Sequence, residues 1–262
     1  MHQRCCGYAV SNGANAQLHD RSKQDCIVDN LFFLCHNKIN TKYSEVDNVA
    51  KRILFQGDSI TDCGRDREDF YGMGDGYPHL VRASLGADYP NEFEFVNRGI
   101  SGNRIVDLYA RIKQDFINLK PDYASIYIGV NDTWHEIDGN NGVETEKFEK
   151  IYIMLIDEIL AACPGIKLMI ISPYVIEGPA TCSTDEAPDR FERFKNDVAQ
   201  KAAVAKRMAE KYGLPLVELQ PAFDDACTKA ASVHWAGDGV HPTLFGHEII
   251  KRLWIKAFET IK

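Results

Sequence analysis

From Lys51 onward, short runs rich in Val, Ile, Phe and Tyr alternate with longer amphipathic stretches, and this alternation restricts the fold more than any other feature. The spacing predicts strands over Arg52–Gln56, Phe93–Asn97, Tyr123–Ile128, Lys167–Ser172 and Pro215–Glu218. Several lack polar alternation, as strands covered on both faces do. Helices are predicted over Tyr77–Ser84, Arg104–Asn118, Thr145–Ala162, Arg190–Tyr212 and Leu244–Ile261. Within Arg190–Tyr212, Phe191, Phe194, Val198, Ala202 and Ala205 recur at three- and four-residue intervals and form one apolar stripe. Gly213 and Pro215 end it. Such alternation specifies an α/β fold, a three-layer α/β/α sandwich around a parallel sheet of about five strands. Ligands of these sheets bind beyond the carboxyl ends of the strands.

The 262 residues suit one sizeable α/β domain, residues 51–262, preceded by a different segment. Residues 1–50 are polar and aperiodic, and their charges cancel, so the whole net charge of -8 belongs to residues 51–262. This stretch reads as a polar extension, disordered or loosely packed; the alternative reading is that translation starts near Val46 and the extension is a gene-model artefact. The acidic balance argues against nucleic acid or an anionic membrane surface as partner, since clustered Lys and Arg hold those. No apolar run approaches the roughly 20 residues that span a bilayer. Cys5, Cys6, Cys26, Cys35, Cys63, Cys163, Cys182 and Cys227 form no C-x-x-C pair, which speaks against a zinc knuckle or dithiol motif and for a reduced, cytoplasmic location.

Four short motifs carry the chemistry. Gly57-Asp58-Ser59 directly follows the first predicted strand, and Gly99-Ile100-Ser101-Gly102-Asn103 follows the second. Gly129-Val130-Asn131-Asp132 follows the third, and Asp238-Gly239-Val240-His241-Pro242 lies near the C-terminus. Ser59, His241 and Asp238 are the three side-chain types of serine-based acyl transfer: nucleophile, base and orienting carboxylate. The backbone N–H groups of Ser59 and Gly102 and the carboxamide of Asn131 are neutral donors suited to an oxyanion. Read singly, each motif is as well explained by a helix cap, a turn glycine or a turn asparagine. Asp132 is expected to brace the Asn131 loop through backbone hydrogen bonds. Asp62, Arg65 and the charge run 66–69 read as a solvated face. Asp58, Trp134 and Tyr174 are candidates for substrate contact, Trp134 through stacking on a sugar face.

As an ordered set the motifs resemble the SGNH branch of the GDSL esterase/lipase superfamily, whose marker residues correspond here to Ser59, Gly102, Asn131 and His241. The resemblance covers residues 51–262. Gly57–Arg65, Gly99–Asn103, Ile128–Trp134 and Val240-His241-Pro242 followed by Gly246-His247 are similar to the intracellular bacterial acetylxylan esterases. The sequence departs from their pattern by a short insertion between Trp235 and Asp238. The resemblance implies a flavodoxin-like SGNH hydrolase fold and removal of acetyl groups from xylan or xylooligosaccharide through an acyl-enzyme intermediate. It implies a small-molecule or oligosaccharide ester as the partner and a homo-oligomer as an allowed assembly; the sequence shows no metal-ligand cluster, and the chemistry calls for no metal or organic cofactor. Two other readings stay open: a thioesterase or lysophospholipase with the same triad, and a non-catalytic carbohydrate-binding protein on the same scaffold.

Overall fold

A computed structural model describes residues 50–262 of the chain. The expectations for the N-terminal extension and its start site lie outside the described residues. Five strands form one sheet: β1 (Lys51–Gly57), β2 (Phe93–Asn97), β3 (Tyr123–Tyr127), β4 (Lys167–Ile171) and β5 (Leu216–Val217). All neighbours run parallel, in the order β2-β1-β3-β4-β5.

The side-chain alternation of each strand feeds two separate cores. Ile53, Phe55, Tyr123, Tyr127, Met169 and Ile171 face one side. Leu54, Ala124, Ile126, Leu168 and Ile170 face the other. Helices α2 (Tyr77–Asp88) and α10 (Leu244–Phe258) cover the first face, where Trp254 stacks on Phe258 and packs against Phe55. On the second face lie α3 (Ile105–Ala110), α4 (Ile112–Asp115) and α6 (Thr145–Ala162). The long helix α7 (Arg190–Tyr212) contributes Phe194 and Val198 to the first core and Val204, Ala205 and Met208 to the second. Burying each of the larger of these side chains, the Val, Leu, Ile, Phe and Met, is worth about 1.5–3 kcal/mol, so the sheet is stabilised from both faces.

The structure differs from the sequence expectation at several helices. The stretch Arg104–Asn118 is not one helix: it breaks at Arg111, then again before a single 3-10 turn at Ile117–Leu119. The break lets Arg111 turn inward, where its guanidinium donates to the carbonyls of Gly57 and Arg98 and to Asn103 Oδ1. Four helices went unpredicted: α1 (Ser59–Asp62), α5 (Val130–Gly139), α8 (Gln220–Cys227) and α9 (Ser232–Trp235). All four are short, and α1 and α5 begin inside the chemical motifs. No helix among the described residues is long and apolar enough to cross a membrane.

Candidate active site

At the carboxyl end of β1 the chain turns straight into α1. Asp58 caps that helix, its Oδ1 accepting from Ile60 N at 3.0 Å. Ser59 is therefore the first helical residue, where backbone N–H groups have no partner within the helix. The loop after β2 runs alongside. Gly99 lies so close to α1 that a Cβ there would overlap the backbone of Asp62. Gly102 stands at φ +81°, a conformation open to glycine and strained for other residues.

Two buried carboxylates fix this loop. Asp62 Oδ2 accepts from Ser101 N and Ser101 Oγ, both at 3.0 Å, and from Arg67 at 2.6 Å. Asp132, on the first turn of α5, accepts from Ile105 N with both oxygens at 3.1 and 3.2 Å. The neighbouring Asn131 donates through Nδ2 to the carbonyl of Asn103 at 3.1 Å. Arg65 Nε holds Gly99 O at 2.9 Å. The solvated-face reading thus fails for Asp62 and Arg65, which are buried as ties between α1 and the loop; residues 66–69 are exposed.

The C-terminal motif folds as a tight loop closed by an antiparallel bridge between Ala236 and Pro242 and by Gly237 N donating to His241 O. Asp238 Oδ1 accepts from the N–H groups of Val240 and His241 at 2.9 and 2.7 Å. Its Oδ2 lies 2.7 Å from His241 Nδ1, and His241 Nε2 lies 2.8 Å from Ser59 Oγ. Residues 182 positions apart thereby form one continuous chain, Asp238–His241–Ser59. A cleft of about 640 Å³ opens above it, lined by Ser59, Gly102, Asn131, Trp134, Asp138 and His241 among others. A larger cavity of about 800 Å³ lies elsewhere, lined by Asp132 and Lys201 but not by Ser59 or His241. Such a relay, flanked by neutral donors, can move a hydroxyl proton and stabilise an oxyanion.

Residues 55–249 match the GDSL-like lipase/acylhydrolase family. The chain belongs to that family. Over 224 residues it is 35% identical to an acetylxylan esterase of Geobacillus stearothermophilus, covering 81% of this chain and 97% of the relative. The crystal structure of Axe2, an acetylxylan esterase from the same organism, superposes with a TM-score of 0.69 at 32% identity, over 80% of this chain and 95% of that one. A GDSL-like lipase candidate from Parabacteroides merdae superposes at 0.74 with 31% identity, over 81% and 98%. Among the Axe2 structures are two described as catalytic mutants, one replacing an aspartate and one a serine by alanine. This GDSL hydrolase is a carboxylic ester hydrolase.

The electrostatics of the GDSL hydrolase separate its titratable groups. The hydrogen bond that Asp238 accepts from His241 holds the imidazole above its ordinary value; burial pushes the Asp238 carboxyl up, but that bond and two backbone donors outweigh it and take Asp238 down to about 2. Burial pushes the Asp58 carboxyl up to about 7. A second histidine, His247, accepts from Tyr77 N through Nδ1 and faces Cys63 Sγ through Nε2. Burial lowers it to about 4, so it stays neutral near pH 7.

Two candidate substrate contacts do not reach the cleft. Asp58 is fully buried as a helix cap. Tyr174 is also fully buried, its ring stacked on Phe223 at 3.7 Å and its hydroxyl donating to Val240 O at 3.0 Å. It supports the Asp238–His241 loop from beneath. The pattern that suggested Tyr174, an aromatic just past a strand end, does not tell an upward-pointing ring from one folded under a loop. Trp134 does line the cleft, 5.7 Å from the His241 ring. Trp235 does not line it. His135, Asp138 and Asn141, all on or just past α5, line the cleft and went unmarked in the sequence; a helical reading of 130–139 is the signal that places them near the site.

Proposed function

We propose that the protein is a serine esterase for short-chain acyl esters that deacetylates carbohydrate, with xylan fragments as the favoured class. The observation that carries this reading is the hydrogen-bonded run from Asp238 through His241 to Ser59 beside Gly102 and Asn131. Ser59 Oγ attacks the ester carbonyl as His241 Nε2 takes its proton. The N–H groups of Ser59 and Gly102 and the Asn131 carboxamide receive the oxyanion. His241 then protonates the departing alcohol oxygen and an acyl-serine remains. Water attacks that ester with His241 again as base, returning the acid and free Ser59. The His241 side chain is 44% exposed, so bulk water has access for the second half-reaction.

The carbohydrate reading is supported by the relatives' acetylxylan activity and by the cleft's lining. Trp134 is the one large apolar side chain among the described lining residues, and His135, Asp138 and Asn141 are polar. That favours a small acyl group on a hydroxyl-rich alcohol over a long lipid chain. Acetate release from acetylated xylooligosaccharides is the test, beside octanoyl, thioester and lysophospholipid substrates. Faster turnover of octanoyl or lysophospholipid substrates would overturn the short-chain reading.

Two further outcomes follow. Asn131→Ala should lower kcat by about 100- to 1,000-fold with a smaller change in KM, since the oxyanion exists only in the transition state. The logarithm of kcat/KM should rise with pH and level off at a midpoint above 6.5, because only neutral His241 can accept the serine proton and Asp238 raises its affinity for one. A midpoint well below 6.5 in the wild-type profile would contradict that pairing.

A further inference from the structure

Around the cleft runs a closed circuit that the reaction steps do not use. Trp134 Nε1 donates to Asp138 Oδ2 at 2.7 Å, and Asp138 Oδ1 accepts from Arg190 Nη1 at 2.6 Å. Arg190 Nε donates to Ala180 O at 2.9 Å, and Ala180 N in turn donates to the backbone carbonyl of Asp238 at 2.9 Å. The circuit closes where the Trp134 ring meets the His241 ring. Phe194 fills the centre: Trp134 packs edge-on against it at 5.8 Å, and the Arg190 guanidinium lies over its ring at 5.1 Å. Arg190 therefore touches both walls, the α5 wall through Asp138 and the Asp238 loop through Ala180.

Trp134 stands beside the group that must protonate the leaving oxygen, so its exposed face borders the alcohol half of the ester. An indole held by its own N–H and by a ring packed behind it offers a fixed apolar surface. A flexible alkyl alcohol gains little there. A ring with axial C–H groups on one face, as in a pyranose, gains a full contact. The geometry points to Arg190 as a positioning residue: through Asp138 it holds Trp134 as a platform that selects esters of ring-shaped alcohols over those of small open-chain alcohols. This rests on the esterase reading of the same cleft and adds the specificity element to it.

The test compares cyclohexyl acetate, ethyl acetate and an acetylated xylooligosaccharide. In Arg190→Met the ratio of kcat/KM for cyclohexyl over ethyl acetate should fall about 3- to 10-fold, the scale of one aromatic contact, with the loss in KM. Xylooligosaccharide turnover should fall in parallel. Trp134→Ala should lower the ratio as far, and Arg190→Met added to Trp134→Ala should lower it no further. Trp134→Phe, which keeps a ring face, should retain most of the ratio and serves if Arg190→Met folds poorly. Equal losses on both acetates, or a second fall in the ratio when Arg190→Met is added to Trp134→Ala, would overturn the platform. Failure of the wild type to release acetate from all three substrates would instead overturn the esterase reading, and the platform with it; turnover of the xylooligosaccharide alone, with neither simple acetate hydrolysed, would overturn the platform only.

Discussion

Ser59→Ala is expected to lower kcat for acetate esters by about 10,000- to 1,000,000-fold while leaving the fold intact. The size follows from the loss of the hydroxyl oxygen that is hydrogen-bonded to His241. Without Oγ the residual rate comes from bound water and from the donors around the oxyanion position. The stability expectation follows from the same geometry: among the described residues the Ser59 side chain bonds only His241, in a solvent-accessible cleft, whereas α1 is held by the Asp58 cap and by Asp62. The melting temperature should therefore stay near that of the wild type. A drop of less than tenfold in kcat, in a folded protein, would remove Ser59 from the chemistry.

The second large effect is expected at Asp238. Asp238→Asn keeps an oxygen for the N–H groups of Val240 and His241, so the loop should hold its shape. The new amide nitrogen would face His241 Nδ1, which must then act as acceptor. That places the ring proton on Nε2, and Nε2 can no longer take the proton of Ser59. A loss of about 10,000-fold in kcat is expected for such a tautomer reversal. The variant also loses the hydrogen bond that is the main cause of the raised His241 value, so the acidic limb of the kcat/KM profile should move to lower pH. Activity within tenfold of the wild type, or an unmoved limb, would show that Asp238 does not orient the imidazole.

The sheet was legible because its signals are local. Four of the five strands are long enough for their apolar runs to stand out, and their ends agree within a residue or two with the structure. β5 shrinks to Leu216–Val217 because only those residues find ladder partners on β4. Arg111, which breaks Arg104–Asn118, also pairs with Asp115 as an ordinary helical i,i+4 pair would; the bonds that turn it inward go to Gly57, Arg98 and Asn103 outside the stretch and leave no local mark.

The site divides the same way. Ser59, Gly102 and Asn131 were legible just past strand ends, and Asp238 and His241 as a C-terminal motif in the same ordered set; the structure brings Ser59, Gly102, Asn131 and His241 to one cleft, with Asp238 bonded behind His241. The errors concern direction, because a motif gives position along the chain but not where a side chain points. Asp58 turns inward to cap α1, and Tyr174 folds beneath the His241 loop. Asp62 and Arg65 looked like part of a charge run, yet each meets a long-range backbone partner in the Gly99–Ser101 loop and is buried by it. Asp132 meets the bracing expectation in an altered form: its bonds reach across to Ile105, so it ties the Gly102 loop to the Asn131 helix rather than supporting its own turn.

The central claim is that Ser59 becomes covalently acylated. Incubation with a fluorophosphonate followed by peptide mass mapping tests it most directly. One equivalent of adduct on Ser59, its formation abolished in Ser59→Ala and in step with loss of acetate-ester hydrolysis, is the expected result. Full hydrolytic activity with no adduct, or an inactivating adduct on any other residue, would contradict it.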